Sequence, residues 1–231
     1  MRSGVTPSGI AYSVLGQGPP LLWLSGFVVT STAMERYVAQ FSTGYTCIVF
    51  DARGSGRTRS TIRQLTTGRM AEDALEVLGY LGYESAHVHG VSLGGMVAQE
   101  MAIRAPHRVR TLVLGSTTAG GSAATPARVS TMASSVLGSH APIPGAESVS
   151  WWGALQQALA ASRHDAASRL NRVQAPCLVM HGERDRLLPP DNARELARLV
   201  PGAQLHVIEG VGHFYPMNTP EVAADIALDW M

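Results

Sequence analysis

Short apolar runs alternate with longer amphipathic stretches along most of the chain. Residues 21–24 are apolar throughout, which is typical of a strand buried on both faces of a sheet. Residues 70–78 repeat apolar side chains at the 3.6-residue spacing of a helix. This alternation predicts an α/β fold, a mostly parallel twisted sheet with helices on both faces. The predicted strands cover residues 10–15, 21–24, 46–50, 86–89, 110–114, 177–180 and 205–208.

The helices predicted from the same pattern cover residues 33–41, 69–82, 93–105, 190–200 and 220–231. At 231 residues the chain fits a single α/β domain. The segment 118–172 breaks the alternation and is rich in Ala, Ser, Gly and Pro, with candidate helices at 129–137 and 151–159. We therefore expect a core domain formed by residues 1–117 and 173–231, with 118–172 inserted between its halves.

The sequence Gly-Val-Ser-Leu-Gly-Gly at residues 90–95 lies between a predicted strand and a predicted helix. A G-x-S-x-G pattern in this setting indicates a tight strand-to-helix turn with the serine at its apex. Ser92 is thus a candidate nucleophile, and the backbone N–H of Leu93, at the helix start, faces the place where negative charge would collect. The alternative is that Ser92 only caps the helix.

A serine nucleophile needs a base and a group that orients the base, and the chain offers both downstream. Asp185 and His213 each follow a predicted strand, so both loops reach the edge of the sheet where functional groups gather. The order Ser, Asp, His is the one expected for this architecture. Glu183 is a rival for the acid, and either Asp185 or His213 could instead be a structural loop residue.

Together these segments resemble the α/β-hydrolase superfamily. The resemblance rests on four further segments: Asp51–Thr58 (DARGSGRT), residues 106–109 (PHRV), residues 181–185 (HGERD) and residues 212–213 (GH). It implies that 118–172 is a shortened helical cap and that the N–H of Phe27 is the second oxyanion donor beside Leu93. Ser25 stands where relatives commonly carry a histidine. The chain begins at the family's second strand or carries a degenerate first one.

The resemblance implies a serine hydrolase acting on a small carboxylic ester or lactone, similar to the enol-lactonase and small-ester hydrolase branch. Carbon–carbon bond hydrolases, cofactor-free haloperoxidases and thioesterases use the same triad, and a slow-turnover, receptor-like ligand-binding protein is a further alternative. Four side chains in the cap segment are candidates for lining the substrate pocket, although simple packing within the cap explains them as well: Met132, Trp151, Trp152 and Leu155.

The resemblance implies a small-molecule substrate, the composition points to neither nucleic acid nor a membrane as a partner, and the oligomeric state stays open. The net charge is +1 and only 15% of residues are charged, so no basic surface for nucleic acid is expected. No stretch approaches the roughly 20 apolar residues of a membrane span, and the N-terminus lacks the apolar core of a signal peptide. Cys47 and Cys177 are expected to be buried free thiols, as in a reducing cytoplasm.

Neither a metal nor a cofactor is expected. Four histidines lie on or beside predicted strands and are interpreted as packed side chains, because no pair of them has the spacing of a metal site: His87, His89, His181 and His206. Residues 54–56 (Gly-Ser-Gly) lack the further glycine or the Gly-Lys-Ser/Thr of a phosphate-binding loop, so a turn is predicted there.

Overall fold

An eight-stranded sheet forms the centre of the computed structural model, which describes residues 2–60, 64–125 and 149–231. The strand order is β1-β2-β4-β3-β5-β6-β7-β8. The strands are β1 (Arg2–Val5), β2 (Ala11–Leu15), β3 (Pro20–Leu24), β4 (Thr46–Phe50), β5 (Ala86–Val91), β6 (Val109–Gly115), β7 (Cys177–Gly182) and β8 (Gln204–Ile208). Strands β3 to β8 pair in parallel, which confirms the predicted fold class.

The first strand is the main addition to the sequence-based expectation. Residues Arg2–Val5 pair antiparallel with β2, in a register that places Arg2 opposite Val14, so a first strand is present. Its side chains are mostly exposed. A strand at the edge of a sheet is held by backbone hydrogen bonds on one side and needs no apolar face, which explains why the hydrophobic pattern did not reveal it.

Helices cover both faces of the sheet. Among the described residues they are α1 (Glu35–Ala39), α2 (Thr67–Tyr80), α3 (Leu93–Arg104), α4 (Trp151–Ser162), α5 (Asp191–Leu199), α6 (Tyr215–Asn218) and α7 (Pro220–Trp230). The short helix α6 was not predicted, and the predicted bounds of the others differ from these by at most three residues, as helix ends usually do. Helix α1 is preceded by a 3₁₀ turn at Thr32–Met34.

Alternate side chains of each central strand point into two separate cores. Leu22 packs into the core shared with α2, α3 and α5, whereas Trp23 packs into the core shared with α1, α6 and α7. Strands β3, β4 and β7 are buried along their whole length, which explains their continuous apolar sequences. Cys47 and Cys177 are buried free thiols on strands that do not pair, as predicted, and burial raises the pKa of each to about 12.

The predicted helix at 151–159 is present as α4, and that at 129–137 lies outside the described residues. Ser150 caps α4 by accepting a hydrogen bond from the Gly153 N–H at 3.0 Å. Gly153 lies against Gly54, in the turn predicted at 54–56, so closely that a Cβ on either residue would overlap the backbone of the other. The division into core and cap stays a prediction.

The histidine interpretation holds for three positions and fails at the sheet edge. His89 and His181 are fully buried, and burial lowers the pKa of His89 to about 3. His87 is half-buried and lies 2.8 Å from the Thr111 hydroxyl. His206 is exposed, contrary to the expectation, because β8 is the last strand of the described sheet and has no described strand on its outer side.

A buried ion pair fixes the loop that follows β4. The Arg53 guanidinium donates two hydrogen bonds to the Asp73 carboxylate of α2, at 2.8 and 2.9 Å, and both side chains are 3% exposed. Burial raises the pKa of Asp73, and the hydrogen bond and charge of Arg53 counteract that rise. The loop Ala52–Thr58 is therefore tied to α2 by two parallel charged hydrogen bonds.

Replacing Asp73 with alanine is expected to lower the free energy of unfolding by about 3–5 kcal/mol, because it leaves the Arg53 charge buried without its partner. Chemical denaturation monitored by circular dichroism measures the change. The matched control is Glu72→Ala, which removes an exposed partner of Arg69 in the same helix and is expected to cost at most about 1 kcal/mol. Equal losses in the two variants would contradict the assignment.

Candidate active site

Ser92 lies at the apex of a strained turn between β5 and α3. Its backbone adopts φ 56° and ψ −120°, a conformation that non-glycine residues rarely adopt. Gly90 and Gly94 make the turn possible, since a Cβ on Gly90 would overlap the Gly94 carbonyl and a Cβ on Gly94 would overlap the Leu24 carbonyl. The Ser92 side chain makes no capping hydrogen bond to α3. The geometry therefore does not favour the alternative role of Ser92 as a helix cap.

The three residues of the predicted triad lie within hydrogen-bonding distance of one another. The Ser92 hydroxyl oxygen is 3.1 Å from Nε2 of His213, and Nδ1 of His213 is 2.8 Å from Oδ2 of Asp185. Asp185 is 3% exposed and His213 8%, whereas Ser92 is partly exposed. Because Nδ1 faces a carboxylate, it carries a proton, and Nε2 is left free to accept one from Ser92.

Four N–H groups converge on the Asp185 carboxylate. Oδ1 accepts hydrogen bonds from the backbone N–H groups of Leu187 and Leu188, at 2.9 and 2.8 Å. His213 and His181 approach Oδ2 at 2.8 and 3.2 Å. Burial by itself would raise the pKa of Asp185, but the hydrogen bonds from His181 and His213 outweigh it and hold the pKa well below its ordinary value. The carboxylate therefore stays ionised at any ordinary pH.

His181 is the residue near the site whose role was missed by sequence reasoning. Its Nε2 is 2.8 Å from the Leu188 carbonyl oxygen as well as 3.2 Å from Asp185. Both partners are acceptors, so Nε2 carries a proton and donates it. The sequence signal for this role was the position of His181 at the end of β7, four residues before Asp185. That position is equally compatible with a packed side chain. Glu183, the rival acid, instead accepts a hydrogen bond from the Gly210 N–H at the surface.

The two candidate oxyanion donors come from different parts of the chain: Leu93 directly follows Ser92, and Phe27 lies in the loop after β3. Leu93 is the first residue of α3, so its N–H has no acceptor within the helix. The loop after β3 approaches Ser92 so closely that a Cβ on Gly26 would lie 3.4 Å from the Ser92 Cβ. Phe27 follows Gly26, and within the described residues its N–H has no acceptor. The Ser25 hydroxyl is buried and has no partner there either.

An apolar cavity of about 120 Å³ opens beside Ser92 and His213. Its floor consists of buried side chains from β3, β5 and the segment before α1: Trp23, Val29, Met34 and Val91. Its rim consists mainly of partly exposed residues: Phe27, Val28, Leu187, Phe214 and Met217. Within the described part of the chain, the cavity has no charged side chain other than His213 if that imidazole is protonated.

The pocket residues proposed from the cap segment do not line this cavity. Trp151, Trp152 and Leu155 lie on the outer side of α4, with 77%, 42% and 42% of their surface exposed. The two tryptophan rings pack edge to face, with centroids 5.7 Å apart. The buried face of α4 carries glutamine and small residues instead, and the assignment of the three residues to a substrate pocket stays a prediction. Met132 lies outside the described residues.

The described ranges offer neither a metal site nor a membrane-spanning helix. No group of three or more His, Cys, Asp or Glu side chains is arranged there as metal ligands would be. No helix in those ranges combines the length and apolar character that crossing a bilayer requires.

Comparison with known proteins places this site in a family context. Residues 21–226 match the model of the alpha/beta hydrolase family. The chain is 27% identical to a poly(3-hydroxyalkanoate) depolymerase of Ectopseudomonas oleovorans, over 92% of the chain and 84% of that protein.

Solved structures give the same result. A hydrolase from Pseudomonas aeruginosa PA01 superposes with a TM-score of 0.87 at 25% identity, covering 99% of this chain and 97% of the other. The enol-lactonase from Burkholderia xenovorans LB400 also has a TM-score of 0.87, at 19% identity and 99% coverage of both chains, a likeness of fold. The chain belongs to the alpha/beta hydrolase family.

Proposed function

We propose that this protein is a serine hydrolase that cleaves a carboxylic ester or lactone through an acyl-enzyme on Ser92. The observation that carries the proposal is the continuous line of hydrogen-bonding atoms from the Ser92 hydroxyl through His213 to Asp185, at 3.1 and 2.8 Å, next to an apolar cavity. An activated serine beside a cavity that fits an acyl group is what acyl transfer requires. The relative named as a poly(3-hydroxyalkanoate) depolymerase adds support, because a polyhydroxyalkanoate is a polyester.

In the first half-reaction, Nε2 of His213 removes the proton of Ser92 while the hydroxyl oxygen attacks the substrate carbonyl carbon. The carbonyl electron pair moves onto its oxygen, where the N–H groups of Phe27 and Leu93 stabilise the negative charge. When the tetrahedral intermediate collapses, the bond to the alcohol oxygen breaks and the alcohol leaves with the proton from Nε2. Asp185 stabilises the imidazolium that exists between these two transfers.

The second half-reaction repeats the sequence with water. Nε2 of His213 takes a proton from water, the hydroxide oxygen bonds to the acyl carbon, and the charge returns to the oxyanion donors. Collapse releases the carboxylic acid, and the proton returns to Ser92. In a lactone the leaving alcohol is part of the acyl group, so the product is a single hydroxy acid.

The cavity favours an uncharged, short acyl group. An apolar cavity of roughly 150 Å³ is large enough for benzene, so 120 Å³ corresponds to a chain of about four to six carbon atoms. The acyl group stays covalently attached while the alcohol must leave, so a cavity with a buried floor suits the acyl group better. Among the described residues, the lining offers no partner for a charge beyond the proposed catalytic residues, which disfavours an acyl group with a second carboxylate.

Replacing Ser92 or His213 with alanine is expected to lower kcat/KM for p-nitrophenyl butyrate by about 10⁴-fold or more, because either change removes the activated nucleophile. The matched control is His206→Ala, which alters an exposed histidine on β8 and is expected to retain parental activity. A fluorophosphonate probe followed by peptide mapping should label Ser92 in the parent. Parental activity in Ser92→Ala would overturn the proposal.

The acid of the triad is tested by two carboxylate-to-amide variants two residues apart. Asp185→Asn is expected to lower kcat by roughly 10⁴-fold, because an amide cannot hold the imidazole in the same tautomer or stabilise the imidazolium. Glu183→Gln removes the surface carboxylate that accepts from Gly210 and should change kcat less than about threefold, since it acts on no reacting group. A large loss in Glu183→Gln with none in Asp185→Asn would reverse the assignment.

The acyl preference is tested with esters that differ only in a terminal charge. The p-nitrophenyl ester of pentanoic acid is expected to have a kcat/KM at least about 100-fold above that of the mono-p-nitrophenyl ester of glutaric acid, because the second carboxylate would be buried without a partner. Both acyl groups have five carbon atoms. Equal values for the two esters would contradict the assignment of the cavity to the acyl group while leaving the triad untouched.

A further inference from the structure

The oxyanion loop after β3 contains a residue in an unfavourable backbone conformation. Val28, next to the proposed donor Phe27, has φ 52°. This left-handed region is a genuine outlier for a β-branched residue, because the branched side chain crowds the backbone there. Such a conformation persists only where the surrounding structure holds it in place. The orientation of the adjoining peptide groups therefore depends on contacts from outside the loop.

Gln157 of α4 supplies that contact. Its side-chain carbonyl oxygen accepts a hydrogen bond from the Val28 N–H at 2.9 Å. Its amide nitrogen donates to the Arg53 carbonyl oxygen at 3.1 Å and to the Ser55 hydroxyl at 2.8 Å. Gln157 is 0% exposed, and these bonds use both ends of its amide. The residue joins the loop after β3 to the loop after β4.

The loop after β4, which Gln157 joins to the loop after β3, is held in place by its own contacts. The Arg53 side chain is held by two hydrogen bonds from its guanidinium to Asp73 of α2. The backbone of α4 lies directly against the same loop at the contact between Gly54 and Gly153, and the Ser150 N–H donates to the Gly54 carbonyl at 3.2 Å. A contiguous path of bonds thus runs from α2 through Arg53 and Gln157 to the Val28 peptide.

We propose that Gln157 is a positioning residue that holds the Phe27–Val28 peptide so that the Phe27 N–H faces the oxyanion beside Ser92. The inference rests on the proposed ester hydrolysis. The Val28 N–H points to Gln157, and the Phe27 N–H, one residue earlier, has no acceptor among the described residues. Losing the Val28 bond frees the loop to relax out of its left-handed conformation, which displaces the donor.

The test compares two adjacent glutamines on the same helix. Gln157→Met removes the amide and keeps the length of the side chain. Gln156→Met is the matched control, because Gln156 is equally buried, with 3% exposure, and its carbonyl oxygen accepts a hydrogen bond from the Ser60 hydroxyl. We expect Gln157→Met to lower kcat by about 10- to 100-fold with KM within twofold, since complete loss of one oxyanion donor costs roughly 10²–10³-fold. Gln156→Met should stay within threefold of the parent.

Binding of a transition-state analogue separates positioning from a general loss of stability. An alkyl boronic acid forms a tetrahedral anion on the serine and needs the oxyanion donors, so its Ki should rise in parallel with the fall in kcat. A second measurement uses the strain at Val28. In a Val28→Gly background the loop adopts φ 52° without crowding, so adding Gln157→Met should cost less in kcat than it does in the parent.

The outcomes are distinct. If Gln157→Met is folded by thermal melting and its kcat and boronate Ki lie within twofold of the parent, the inference is overturned. If that variant does not fold, Ser55→Ala loosens the same amide with a smaller change, and a kcat within twofold of the parent in a folded Ser55→Ala protein overturns the inference as well. If the parent shows no cleavage that depends on Ser92, the proposed function has failed instead.

Discussion

The left-handed turn at Ser92 is the constraint on which the rest of the site depends. The turn connects β5 directly to α3, which places the Ser92 hydroxyl above the sheet and the Leu93 N–H beside it. Such a turn requires that Gly90 and Gly94 lack side chains, because backbone carbonyls occupy the space that a Cβ would fill. The strain is offset by the packing of two fully formed elements, so the proposed nucleophile is held in place before any substrate binds.

Around this turn, hydrogen bonds converge from parts of the chain that are far apart in sequence. The Asp185 carboxylate receives four N–H groups, two from its own loop and two from histidines on either side. The oxyanion loop is held in the same manner by Gln157, whose amide partners lie near residues 28 and 53. Preorganised dipoles of this kind stabilise charge without having to move during the reaction. The polar groups are fixed by the fold, whereas the substrate cavity between them is apolar.

The errors made from the sequence have a common physical origin. The hydrophobic pattern does not reveal the strand Arg2–Val5 and wrongly predicts a packed His206, because both lie at edges of the described sheet, where no described strand covers the outer side. Trp151 and Trp152, the candidates for lining a pocket, lie on the exposed side of α4. The buried face of α4 instead carries Gln157, a polar residue that is satisfied by three hydrogen bonds.

The sequence by itself determined the alternation of strands and helices and the parallel sheet, and it singled out Ser92, Asp185 and His213 as a candidate triad, because periodic burial and the strand-to-helix turn are local properties of the chain. The family resemblance added Phe27 as a candidate oxyanion donor. Only the tertiary structure decided that His181 supports the acid, that Trp23 and Met34 form the cavity floor, and that Gln157 contacts the oxyanion loop. No repeating pattern in the sequence reveals those contacts, because they form only when the sheet and its helices pack together.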